Sequence, residues 1–148
     1  DNIRSKKIGI IYQDKNLLSD FTTLENVYMA RLSLDNNKKK AVLDAKDIIR
    51  KVGLDKRLSH FPSQLSGGES QRVAISRALI NSPDIILADE PTGNLDYKNA
   101  KEIFKLLFSL KNKKRIIIFA THNRHFANMS DCKLNLINGK ISSINGGN

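Results

Sequence analysis

Residues 85–122 read IILADEPTGNLDYKNAKEIFKLLFSLKNKKRIIIFATH, and their hydrophobic period changes twice. Residues 85–88 are continuously apolar and stop at the acidic pair Asp89 and Glu90, the pattern of a strand buried in a parallel sheet. Ala100, Ile103, Phe104, Leu107 and Leu110 then recur at helical spacing, and residues 115–120, apolar from Ile116 onward, form a second strand that ends at Thr121 and His122. Strand, helix and strand in this order predict a parallel crossover and an α/β fold. Ligands of open α/β sheets bind beyond the carboxyl ends of the strands, which is where Asp89, Glu90 and His122 fall.

Working outward, residues 8–12 (IGIIY) give a third continuous apolar run, expected to be buried on both faces and closed by Gln13. Thr22 or Thr23 is available to cap a helix carrying Leu24, Val27 and Tyr28, with Glu25 in its first turn. A second helix shows Ala41, Ala45, Ile48, Ile49 and Val52 on one face and Gly53 in the usual terminating position. Residues up to about 80 therefore read as mainly helical. Near the end, residues 133–137 and 140–144 flank Asn138 and Gly139, a pair that favours a two-residue hairpin turn.

The chain has 148 residues, enough for one core and too few for two. Its apolar runs are strand-sized, far below the ~20 residues of a membrane-spanning helix. No basic start followed by an apolar stretch and a small-residue cleavage site is present, so action in the cytosol is expected. The net charge is +10, with basic clusters at residues 38–40 and 111–115. Neither cluster carries aromatic residues on which bases could stack, so solvated surface is the favoured reading and no nucleic-acid partner is expected. Contact with a membrane partner or anionic headgroups stays open. Cys132 is the single cysteine and reads as a structural strand thiol.

Residues 65–79, LSGGESQRVAISRAL, combine a capping box of Ser66 and Glu69 with an apolar helical stripe. Capping does not require Gly67 and Gly68. Their missing side chains open the helix start to an approaching phosphate. Phosphoryl chemistry needs one carboxylate to hold Mg²⁺ and another group to orient the attacking water, roles that Asp89 and Glu90 fit.

The run 65–79 closely resembles the signature motif of the ABC ATPases, and residues 85–92 resemble that family's Walker B strand. Asn94, Leu95 and Asp96 look like its D-loop, Gln13 like its Q-loop glutamine and His122 like its switch histidine. The resemblance implies ATP and Mg²⁺ as cofactors. Asp89 and Gln13 would serve the metal, Glu90 would act as catalytic carboxylate, and His122 would bond the γ-phosphate and help place Glu90 and water. Ser66, Gly67, Gly68, Glu69 and Asp96 would contact nucleotide, the signature residues acting on that of a second copy in a head-to-tail dimer. His60 and His125 are left as surface or packing residues. Residues 12–27 and 88–96 resemble in particular the ATPase subunits of bacterial lipoprotein-releasing systems, related to macrolide-export and cell-division subunits. Two positions depart from the pattern: Asn123 stands where aspartate is usual, and Asp14 replaces an apolar or aromatic residue.

No Gly, four residues, Gly, Lys and Ser or Thr occurs, and Gly139 with Lys140 belongs to the hairpin turn. The expected fold is therefore a P-loop NTPase-like domain, mostly parallel, with a helical subdomain inserted at about residues 14–80 and without the N-terminal phosphate cradle. The expectation is of a subunit truncated at its N-terminus: ATP hydrolysis by the complete subunit and little by these 148 residues. Implied partners are integral-membrane permease subunits and a second ATPase copy, at the cytoplasmic face of the bacterial inner membrane. The substrate expected is lipoprotein, with a related macrolide or peptide exporter as alternative. A soluble ABC protein acting on ribosomes or chromosomes is a rival reading. Its translation-factor type usually has Asn and His where this chain has Gly93 and Asn94, and its chromosome type usually lacks Pro91 and Thr92. A catalytically dead binding module is opposed by Asp89, Glu90 and His122 together.

Overall fold

Both parallel partners of the central strand reach it through helical crossovers. The computed structural model describes residues 6–146. Strands β1 (Ile8–Ile11), β2 (Ile85–Asp89) and β3 (Ile116–Ala120) lie in the order β1-β2-β3, with Ile11 beside Ala88 and Ala88 beside Phe119. Helices α1 (Thr23–Leu32), α2 (Lys38–Lys51) and α3 (Gly67–Leu79) separate β1 from β2, with 3-10 turns at Asp55–Arg57 and Pro62–Gln64. Helix α4 (Tyr97–Ser109) makes the crossover to β3, followed by α5 (Arg124–Ala127) and the hairpin of β4 (Cys132–Ile137) and β5 (Lys140–Gly146). No helix among the described residues is long and apolar enough to cross a membrane.

The local signals explain the helix ends. Thr22, rather than Thr23, caps α1: its hydroxyl accepts from the Glu25 amide at 3.3 Å and the Glu25 carboxylate accepts from the Thr22 amide at 2.8 Å. Thr23 is buried and donates to the His60 carbonyl at 3.1 Å. Gly53, with φ of 77°, follows the Val52 cap of α2 in the left-handed region that glycine tolerates. Asn138 and Gly139 have φ of 51° and 74°, as a type I′ hairpin turn requires. Cys132 opens β4 and is exposed.

Two buried clusters of the core meet along α3. Ile75, Ala78 and Leu79 of α3 join Ile11, Ile86, Ala88 and Ile103 beneath the sheet. Val73, one turn earlier, joins Val27, Ala45, Ile49 and Val52 of the other helices. Helix and sheet approach so closely that a Cβ on Gly9 would lie 2.5 Å from the Ala78 carbonyl oxygen. A third cluster stacks Phe104 on Phe126, with ring centroids 3.8 Å apart.

The expected burial on both faces holds for one face only. Gly9, Ile11, Ile86, Ala88, Ile117 and Phe119 share the face on which α3 and α4 pack. By alternation Ile8, Ile10, Ile85, Leu87, Ile116 and Ile118 line the other, and none of these six joins a buried cluster. Ile116 and Ile118 remain 59% and 55% exposed. The cause is one-sided cover, since the described helices lay their apolar stripes on a single face.

Candidate functional site

At the carboxyl end of β2 the chain turns sharply. Glu90 takes φ of 39°, a left-handed conformation costing about 1–2 kcal/mol for a residue with a Cβ. Hydrogen bonds from the strand next door hold it there. The Glu90 amide donates to the Ala120 carbonyl at 3.0 Å. Its carboxylate accepts from the His122 amide at 2.7 Å and from the Thr121 hydroxyl at 3.2 Å. His122 Nδ1 lies 2.7 Å from the same carboxylate. A carboxylate oxygen accepts, so Nδ1 is the donor of this contact and Nε2 is left pointing away from Glu90. Glu90 is only 18% exposed at its side chain, whereas His122 is 81% exposed, so the pair offers an imidazole to solvent from an anchored base.

Asp89 ends β2 with an exposed carboxylate that makes no hydrogen bond or ion pair among the described residues. Gln13, just past β1, reaches the same edge: a Cβ on Gly93 would lie 3.2 Å from Gln13 Nε2 and 3.5 Å from the Glu90 Cβ. Gly93 thus leaves room for an amide beside the carboxylate. The fold brings Gln13, Asp89, Glu90 and His122 to one edge of the sheet. Among the described residues no three His, Cys, Asp or Glu groups cluster as a metal cage. One free carboxylate with a neighbouring amide suits Mg²⁺, a hard ion bound through one or two carboxylates plus substrate phosphates.

A second group surrounds the start of α3. Ser66 Oγ accepts from the Glu69 amide at 3.2 Å, and Glu69 accepts from the Ser66 amide at 2.8 Å and from Arg57 Nε at 2.8 Å. The Ser66 amide, and then Arg57, hold the Glu69 carboxyl below the usual glutamate range. Gly67 and Gly68 also meet a constraint internal to the chain. A Cβ on Gly67 would touch Leu95 Cδ2 at 3.2 Å, and one on Gly68 would lie 2.8 Å from Asn99 Oδ1. Glycine is needed here because α3 starts hard against the segment that follows Glu90, in addition to any opening toward a ligand. Asp96 caps α4, accepting from the Asn99 amide at 3.0 Å and bonding the Asn99 side-chain amide. The Asn99 backbone N–H, then its side chain, keep the Asp96 carboxyl low.

Three partners of these residues were not singled out in the sequence. Asn99 lies three positions after its N-cap, a spacing that was readable. Thr121 was recognised only as the end of a strand. Arg57 is twelve residues before Glu69 and had no local signal. His60 and His125 remain outside the site; His125 packs edge-on to Phe126.

A three-stranded parallel sheet gathers carboxylates, an amide and an imidazole at one edge, and a capped glycine turn opens a separate helix. The ABC transporter family pattern matches residues 1–93, and the chain belongs to that family. It is 49% identical over 141 residues to the lipoprotein-releasing system ATP-binding protein LolD of Rickettsia typhi, covering 95% of this chain and 64% of that protein. It is 46% identical over 142 residues to the protein of the same name from Treponema denticola, covering 95% and 63%. A solved dimeric bacterial ABC transporter cassette superposes with a TM-score of 0.86 at 34% identity, covering 98% of this chain and 65% of that one. A post-hydrolysis state of the same cassette with ADP and Pi gives 0.85 at 33% identity, with the same coverage. The chain thus spans about 64% of the length of the curated relatives.

Proposed function

We propose that these residues form part of the ATP-binding and ATP-hydrolysing subunit of a bacterial ABC transporter that powers lipoprotein release from the inner membrane. The observation that carries the reading is Glu90, half-buried and bonded to Thr121 and His122 while Asp89 beside it stays free. In this proposal Glu90 orients the attacking water, and its anchoring fixes the direction of its lone pairs. His122 Nε2, when protonated, donates to the γ-phosphate. Asp89 and Gln13 hold Mg²⁺, which when bound offsets phosphate charge.

Residues 14–80 serve as the helical subdomain, and Ser66, Gly67, Gly68, Glu69 and Asp96 face the nucleotide of a second copy. The dimeric cassette of the solved relative supports that arrangement. Because Glu69 is already bonded to Ser66 and Arg57, its part is to hold the turn while Ser66 and the free amides meet phosphate. The subunit works at the cytoplasmic face of the inner membrane against permease partners.

In the complete subunit Glu90→Gln is expected to retain ATP binding and lose at least about 100-fold in turnover, since it keeps shape and removes the base. Calorimetry and phosphate release test this, and near-parental hydrolysis would remove Glu90 from the role. Depleting the subunit in cells should strand lipoproteins in the inner membrane; unchanged sorting with impaired export of a small molecule would favour the related exporters.

A further inference from the structure

The two basic clusters of the sequence have different fates in the fold. Arg115 donates to the carbonyls of Pro83 and Leu110, and Lys111 meets Asp131 in an exposed pair, which leaves Lys113 and Lys114 as the solvent-facing cations of the cluster at 111–115. Helix α2 is otherwise. Ala41, Ala45 and Ile49 bury one face, and the opposite face presents Lys39, Leu43, Lys46 and Arg50 at spacings of four, three and four residues. Leu43 is 63% exposed and joins no buried cluster.

The helix carries six cations against two aspartates. Asp44 turns inward to Arg31 at 3.4 Å, and Asp47 meets Arg50 at 3.3 Å in a pair exposed enough to be weak. Lys38 lies over the Tyr28 ring, but Lys40 and Lys51 widen the positive face at its edge.

We propose that the face of α2 formed by Lys39, Leu43, Lys46 and Arg50 docks on an anionic lipid surface. Charge complementarity chooses the partner. Cations spaced along one face match a plane of phosphate headgroups, and an exposed leucine among them fits the boundary between headgroups and acyl chains. A nucleic-acid backbone has no use for that leucine, and α2 carries no aromatic side chain for bases to stack on. This inference is independent of the hydrolytic reading above.

The test is flotation of the 148-residue chain with phosphatidylglycerol/phosphatidylcholine vesicles and with pure phosphatidylcholine vesicles, so that only vesicle-bound chain is counted. Binding is expected only to the anionic vesicles and should fall as salt rises through physiological strength. The triple variant K39Q/K46Q/R50Q should weaken partitioning about 100-fold, roughly fivefold per charge. Leu43→Ser should weaken it severalfold with the salt dependence unchanged. K98Q/K101Q/K105Q, which removes the same charge from exposed positions on α4, should change it less than threefold. All substituted side chains are exposed, and circular dichroism checks that each variant folds. Equal binding to neutral vesicles would assign the contact to exposed apolar surface and overturn the proposal. Equal loss in both triple variants would reduce it to net charge. Stripping of the chain from vesicles by duplex DNA at equal phosphate would assign the face to nucleic acid.

Discussion

Gly68 shows how one residue can satisfy two readings at once. Its missing side chain was read as an opening for phosphate, yet the Asn99 carboxamide already occupies the space that a Cβ would enter. Asn99 cannot swing aside freely because both its backbone and its side chain bond Asp96. Gly68→Ala should therefore lose part of the stability that alanine's better helix propensity would add, because its Cβ displaces the Asn99 carboxamide from Asp96. In an Asn99→Ala background the same change should be neutral or stabilising. Urea unfolding of the four proteins in that cycle measures the coupling, and equal effects in both backgrounds would mean that the contact carries no energy. At this scale the motif residues were legible in the sequence, because phosphate chemistry restricts residue type at fixed spacing. The left-handed Glu90 and its bond to Thr121 were not, because they depend on β3 arriving alongside.

Helices α1, α3 and α4 each begin with a carboxylate bonded to the first turn: Glu25, Glu69 and Asp96. In each, backbone N–H donors lead in holding the carboxyl below its usual range. A lowered folded-state value means that the carboxyl adds stability above its unfolded value, about 4.3 for glutamate, and that this is lost as pH falls through the folded value. Stability should be flat near neutrality and decline as acid enters that window. Glu69→Gln should be less stable near pH 7 and show a shallower decline on acidification, read as urea midpoints across pH. An unchanged slope would deny Glu69 its share. These caps were readable from sequence because they are local, as were the crossover and the hairpin turn. The ion pair of Glu69 with Arg57 and the four-residue helix α5 were not, since one spans a loop and the other offered only Phe126 as signal.

Across the whole molecule, composition and period foretold a parallel sheet with helices but overstated how well it is covered. A continuous apolar run says that both faces of a strand avoid water without saying what covers each. The grid of Ile8, Ile10, Ile85, Leu87, Ile116 and Ile118 shares one molecule with a net charge of +10. These two properties oppose each other in colloidal terms. At low ionic strength like charge keeps copies apart beyond the reach of short-range apolar attraction; added salt shortens the repulsion while leaving the attraction intact. The 148-residue chain should therefore salt out, with light scattering rising between about 0.05 and 0.5 M NaCl. I116K/I118K should abolish the rise. Salt would then act on this chain as a switch for self-association, with the bare side of the sheet as its adhesive.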